Sequence, residues 1–286
     1  MDISAFEVKY PAHWNSCVVF ASPHSGRDYP ASMMRSSVLG DQAIRSSEDA
    51  FVDTLFAKAP EHGAPLLLAG VPRAFVDLNR SPEELDPALI QGAKRQGHNP
   101  RVASGLGVIP RVVANGRAIY RGKLSLKEAQ ARLDQVWHPY HTQLRGLLDT
   151  AMREHGQSVL IDCHSMPREA VDSVVRAGVR RPDVVLGDRF GAAASGEVVD
   201  LVEAAFKSEG FNVARNTPFA GAYITQAYGR PAQGRHAVQV EIDRGLYMDE
   251  QRIRPNRDFD KVAAALQRVI AQLVVIGQPR MPLAAE

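Results

Sequence analysis

Two histidines each follow a run of β-favouring apolar residues. "VVFASPHSG" leads to His24, and "SVLIDCHSM" carries His164. Two imidazoles and one carboxylate, with a fourth position left open, form the donor set of a catalytic zinc ion. His24 and His164 are the natural pair. The carboxylate comes from "SSEDA", where Asp49 is the first candidate and Glu48 its rival. Asp49 also stands three residues after Ser46, at the start of a helical pattern, so it has an ordinary alternative role as a cap that suits the helix dipole. In "IDCHS" the two-residue period of a strand puts Asp162 on the face of His164 and Cys163 on the other. Asp162 is then placed to orient the His164 ring, and Cys163 to be a buried structural thiol. Ser25-Gly26 lets the backbone turn tightly beside an ion.

Other groups complete a reaction site. "FVDLNR" ends in Asn79 and Arg80. A guanidinium grips a carboxylate through two parallel hydrogen bonds, and Asn79 adds a donor. The alternative for Arg80 is an ion-paired surface arginine. Glu241 ends the apolar run "AVQVE", where a carboxylate is costly without a partner. A general base for a water beside a metal is one reason for it; an exposed strand-end glutamate is the other. His138 and His141 in "WHPYH" stand three apart on a helical pattern, where packing or solvent exposure is the usual use of such a pair.

The elements that must position these groups are short. Cys17–Ala21, Pro65–Val71, Phe75–Leu78, Ser158–Asp162, Asp183–Leu186 and Ala237–Ile242 read as buried strands, nearly continuous in hydrophobicity, as in sheets covered on both faces. Helical patterns lie between them. One opens at Ser46 with Phe51, Val52, Leu55, Phe56 and Ala59 as its apolar stripe. One runs from about Ser125 to Glu154, with Ser125 and Glu128 as a capping box and Pro139 as a kink or break. Gly196–Ser208 and Phe259–Ile276 are amphipathic. The alternation predicts an α/β protein, a three-layer α/β/α sandwich, as a single domain over residues 1–286. Ligands in such sheets bind outside the carboxyl ends of strands, where His24, Asn79-Arg80, His164 and Glu241 all fall. The Pro-, Gly- and Arg-rich stretch Ser81–Gly122 is long for a loop and is the lid candidate.

The 286 residues are 45% hydrophobic and 23% charged, with a net charge of +2 and no long basic run, so neither nucleic acid nor an anionic membrane is an expected partner. Two distant cysteines imply no disulfide framework. The start "MDISAFEVKYP" lacks a signal-peptide core, and no apolar stretch approaches the roughly 18 residues of a membrane span. A cytoplasmic protein is expected.

The blocks "SPHSGRDYP", "EDAFVDTLF", "FVDLNRSPEE", "IYRGKLS", "WHPYHTQL", "LIDCHSMP" and "AYGRPAQGRHAVQVEIDRGLYMDE" stand in one order between about Val18 and Glu250. In that order the sequence resembles the N-formylglutamate amidohydrolases (N-formylglutamate deformylases). The resemblance implies a mixed, mostly parallel central sheet of zinc-carboxypeptidase type. It also implies one divalent metal ion, most readily zinc, and a small acidic substrate, N-formyl-L-glutamate, cleaved to formate and L-glutamate in histidine degradation. Carried onto this chain, His24, His164 and Asp49 hold the metal, Asn79 and Arg80 the substrate, and Glu241 is the base. The same "DLNR" wording occurs in the aspartoacylase and succinylglutamate desuccinylase group. Arg121, His236 and Arg230 are the candidate donors to the tetrahedral oxyanion, Arg230 from the substrate side. Arg168 or Arg244 would hold the second glutamate carboxylate. The carboxypeptidase HxxE pair is absent, because Arg27 stands three residues after His24, and some family members have a histidine where Phe51 stands. Two other functions fit the same residues: deacylation of another N-acyl amino acid or carboxypeptidase-like cleavage, and metal-free binding of small acidic molecules.

Overall fold

The computed structural model describes residues 4–94, 97, 99–172 and 180–278. Seven strands form one sheet: β1 (Phe6–Lys9), β2 (Val18–Ser22), β3 (Leu66–Ala69), β4 (Ser158–Met166), β5 (Val184–Gly187), β6 (Val213–Arg215) and β7 (Arg235–Asp243). Their order is β1-β3-β2-β4-β7-β5-β6. The four central strands β3, β2, β4 and β7 run parallel, β1 pairs antiparallel at one edge, and β5 is antiparallel to β7. The sheet is therefore mixed and mostly parallel.

Side-chain alternation feeds two separate apolar layers. Val18, Phe20, Ile161, Cys163, Val238, Val240 and Ile242 pack with Val52, Leu55 and Phe56, with Val202 and Phe206 of the helix Gly196–Ser208, and with Leu266 and Ile270 of the helix Phe259–Leu273. Val19, Ala21, Leu67, Leu160 and Ala237 pack on the other face with Tyr140, Leu144 and Leu148 of the helix His138–His155. Helices thus cover both faces, which explains why these strands read as continuous apolar runs.

Several expected elements differ. Phe75–Leu78 is buried but pairs with no strand; it follows a turn in which Phe75 and Val76 N–H both reach the Pro72 carbonyl. Burial alone does not separate a strand from a packed loop. The edge strands β1 and β6 were not expected, since both are short and only half-buried. Pro139 does not break its helix. A π-helical turn, Leu133–Trp137, precedes it, and the His138 N–H reaches back five residues to the Leu133 carbonyl. Such a wide turn resets the bonding ladder just where proline offers no donor. Ser125 caps its helix, but Glu128 pairs with Arg132 at 2.6 Å instead of returning to Ser125. No helix among the described residues is long and apolar enough to cross a membrane.

Candidate active site

His24 follows β2 by two residues, and His164 and Glu241 lie opposite each other near the carboxyl ends of β4 and β7. Asp162 pairs with Gln239 two residues earlier in the same register. Even spacing puts Asp162, His164, Gln239 and Glu241 on one face, while Cys163 is buried in the apolar layer on the other. All four polar groups line, or lie directly behind, a cavity of about 730 Å³ at this end of the sheet.

Asp49 reaches the histidines through an unusual turn. The chain leaves the short helix Arg45–Ser47, and Phe51 takes a left-handed φ of 67° before the helix Val52–Leu55 begins. That helix has no side-chain cap, so the capping role does not apply to Asp49. Its carboxylate is buried instead, with Oδ2 2.9 Å from His164 Nδ1 and 3.4 Å from His24 Nδ1. Arg244 Nη2 donates to Oδ1 at 2.8 Å. Burial opposes the charged form, yet the His164 hydrogen bond and the nearby His24 and Arg244 hold Asp49 well below the ordinary carboxylate range. Glu48 points elsewhere, accepting from Tyr29 Oη at 2.6 Å and from Arg45. Of the two acidic candidates, the one beside the histidines is Asp49.

Each histidine has one nitrogen turned to Asp49 and the other backed by a second carboxylate. His24 Nε2 meets Asp77 Oδ1 at 2.7 Å. His164 Nε2 lies 3.0 Å from Asp162 Oδ1 and 3.2 Å from Asn79 Nδ2. His24 Nδ1 is buried and has no hydrogen-bond partner. Donor atoms of His24, Asp49 and His164 all lie within 4.8 Å of one another. A tetrahedral ion with bonds of about 2 Å sets its ligand atoms roughly 3.3 Å apart. The three residues fit such an ion: the donor set is correct, the spacing is close, and an orphaned imidazole nitrogen faces the gap.

Glu241 is buried, and Gln239 Nε2 donates to its Oε1 at 2.8 Å. Burial, with help from the Asp49 carboxylate, pushes Glu241 up to about 7. Gln239 is itself fixed by the Ala222 N–H. Gly187 lets that loop come close, because a Cβ there would meet Gly221 N at 2.6 Å.

The basic groups divide sharply. Arg80 lines the cavity with Nε on the Leu106 carbonyl and Nη1 on the Asn79 carbonyl, and it has no carboxylate partner among the described residues. Asn79 is less free than expected: Oδ1 accepts from Ile224 N–H, and Nδ2 faces His164 and Asp162. Arg244 lines the cavity, but its donors go to Asp49 and Ser165, so it does not stand free as a second carboxylate clamp. Four other expectations are corrected. His236 lies at the start of β7, next to Arg235 and five residues from Glu241, which puts it on the opposite face and roughly 16 Å away along the strand. Arg230 bridges to Arg235 at that same far end, its guanidinium on the Gln226 and Gly229 carbonyls. Arg121 lines a separate cavity with Arg35 and Lys123. Arg168 is exposed beside Gly245, outside the cavity lining.

Residues not singled out from sequence for the site fill these places. Arg73 lines the cavity, pairs with Asp77 at 2.8 Å, and holds Nη1 3.9 Å from Asp49 Oδ1. Arg101 lines it too, with no hydrogen bond or ion pair from its guanidinium among the described residues. Asp77 stands with Asn79 and Arg80 at the polar end of "FVDLNR", which marks it for the shared polar site but gives it no separate role. The stretch Ser81–Gly122 supplies Arg101, Ser104, Leu106, Pro110 and residues 112–116 as one wall, while its residues 95, 96 and 98 lie outside the described residues. Phe51 packs on Phe259 rather than lining the cavity. Gly26 serves the fold, not an ion: a Cβ there would meet the Val71 carbonyl oxygen at 2.1 Å. His138 is exposed and His141 is buried against Leu78 and Tyr228, so the pair does not converge.

A model of the N-formylglutamate amidohydrolase family matches residues 16–248. The chain is 31% identical to the N-formylglutamate deformylase of Pseudomonas aeruginosa, over 90% of this chain and 91% of that protein. It is 28% identical to the Pseudomonas putida enzyme of the same name, over 90% of each. The crystal structure of N-formylglutamate amidohydrolase from Ralstonia eutropha superposes with a TM-score of 0.88 at 33% identity, covering 95% of this chain and 99% of that one.

Proposed function

The chain belongs to the N-formylglutamate amidohydrolase family, and from that premise we propose that it hydrolyses N-formyl-L-glutamate to formate and L-glutamate, as a step of histidine breakdown. The observation that carries this reading is the convergence of His24, Asp49 and His164 beside a buried Glu241 whose pKa is pushed up to about 7. His24 Nδ1, His164 Nδ1 and Asp49 Oδ2 would hold one divalent ion, zinc by this nitrogen and oxygen donor set. Bound there, the ion would acidify a water and draw charge from the formyl oxygen.

The chain's own residues do the rest. Glu241 takes the water's proton as it attacks the formyl carbon, then returns it to the leaving nitrogen, a role suited to a group poised near neutral pH. Arg73, anchored by Asp77 through Nη2 and holding Nη1 3.9 Å from Asp49, faces the charge that develops on the formyl oxygen. Arg80 grips one glutamate carboxylate, and Arg101 takes the second, since both guanidiniums line the cavity without a carboxylate partner among the described residues. The Leu106 peptide links them: its N–H donates to the Arg101 carbonyl and its oxygen accepts from Arg80 Nε. The same reading takes the fold as a three-layer sandwich of zinc-carboxypeptidase type.

The test is formate release from N-formylglutamate with and without a chelator, beside N-formylglutamine, N-acetylglutamate and N-succinylglutamate assayed for amine release. Chelator-sensitive turnover with N-formylglutamate preferred is expected. Chelator-insensitive turnover would remove the metal from the mechanism, and a faster non-formyl substrate would reassign the substrate.

A further inference from the structure

The motif Trp137-His138-Pro139-Tyr140-His141 has no part in the chemistry above, yet two of its side chains hold the backbone of the substrate clamp. Trp137 Nε1 donates to the Arg80 carbonyl at 3.0 Å. His141 Nε2 donates to the Leu78 carbonyl at 2.9 Å. We propose that Trp137 and His141 are positioning residues that fix the Leu78–Arg80 segment so that the Arg80 guanidinium meets the substrate carboxylate. This role rests on the reading of Arg80 as the clamp.

Three observations carry it. First, Leu78 and Asn79 are buried and Arg80 is half-buried, yet the segment belongs to no strand, so no sheet ladder holds its carbonyls in place. Buried carbonyls need partners, and here indole and imidazole supply them. Second, the two donors are themselves locked. Their rings stack at 3.9 Å with an interplanar angle of 30°. Tyr228 Oη donates to His141 Nδ1 at 2.8 Å, which fixes the tautomer and leaves the proton on Nε2 for Leu78. Burial drives His141 down to about 3, so it stays neutral at working pH. Third, the short helix Tyr223–Tyr228 that carries Tyr228 also fixes Asn79, through Ile224 N–H to Oδ1 at 2.8 Å. Leu78, Asn79 and Arg80 are thus each tied to this one aromatic cluster. The π turn Leu133–Trp137 ends on Trp137, so the irregular winding before Pro139 sets where the indole points.

A segment pinned in this way delivers its guanidinium with little freedom left to lose on binding. Loss of a pin should weaken ground-state and transition-state grip alike, which raises KM and leaves kcat nearly constant. Trp137→Phe keeps the stacking ring and removes the N–H. His141→Leu removes both bonds, and His141→Gln retains a donor for Leu78. The substrate for the measurement is whichever N-acyl amino acid of the panel the wild type turns over fastest. Trp137→Phe and His141→Leu should each raise KM about tenfold with kcat within about twofold, and His141→Gln should recover most of that loss. The deciding readout is the same pair of substitutions on an Arg80→Ala background, where no further rise in KM is expected. An equal rise with Arg80 present or absent, a fall in kcat at constant KM, or unchanged kinetics would each overturn the proposal. Should His141→Leu fail to fold, Trp137→Phe carries the cycle alone. Turnover of another N-acyl amino acid but not N-formylglutamate would count against the substrate assignment only, and turnover of none would overturn both.

Discussion

Asp77 Oδ1 stands 2.7 Å from His24 Nε2, and this contact turns the other ring nitrogen toward Asp49 Oδ2. The carboxylate that orients the proposed ligand is here distinct from the carboxylate that would share the ion with it. Asp77→Asn should therefore lower zinc affinity by about 10- to 100-fold, the usual cost of losing such a partner. Competition with a chromogenic chelator measures it; unchanged affinity would show that His24 orients itself.

The two acidic neighbours give a sharper contrast. Asp49→Asn should abolish zinc retention through purification, measured as metal content per chain. Glu48→Gln should keep the metal and instead lower thermal stability, because Arg45 loses its charged partner while the amide oxygen still accepts from Tyr29. With the Arg45 side chain about a third exposed, losing that charge should cost on the order of 1 kcal/mol. Zinc loss in the Glu48 variant alone would reverse the assignment.

Glu241 supplies a pH dependence. With its pKa pushed up to about 7 by burial, it is protonated and useless as a base on the acid side. Thus kcat/KM should fall as pH drops below about 7, and Glu241→Gln should flatten that limb while cutting kcat by about 10²–10⁴. An acid limb that survives in the Glu241 variant would move the base elsewhere.

His141 supplies a stability dependence. Its folded pKa of about 3 lies below the ordinary 6.5, so the unfolded chain binds a proton that the folded one refuses. This stability is fully present above pH 6.5 and is lost as pH falls toward 3. Denaturant titrations should show His141→Gln reducing the slope of unfolding free energy between pH 6 and 4 by up to about 1.4 kcal/mol per pH unit. Parallel slopes would mean that His141 is protonated in the fold.

Residue type and strand period were enough to find His24, His164 and Glu241, since each sits at or just beyond the end of a buried strand. Strand period also placed Asp162 behind His164. Asp49 was legible only as one of two acids, because its direction comes from the left-handed turn at Phe51, which no propensity announces for a bulky residue. The arginines were the least legible. Arg121, Arg168, Arg230 and Arg244 differ from Arg73 and Arg101 in what packs around them, not in local pattern. Phe75–Leu78 misled as a strand because it is buried within the second apolar layer without pairing with a strand.

The pairing of His164 with Glu241 and of Asp162 with Gln239 has one more consequence. A slip of β7 against β4 by a single residue would turn Glu241 toward the apolar layer and bring Val240 or Ile242 to the cavity. The distance between the proposed ligand His164 and the proposed base Glu241 is thus written into the hydrogen-bond ladder itself. Chains that assemble with the wrong ladder should be catalytically silent, so turnover doubles as a report on correct assembly.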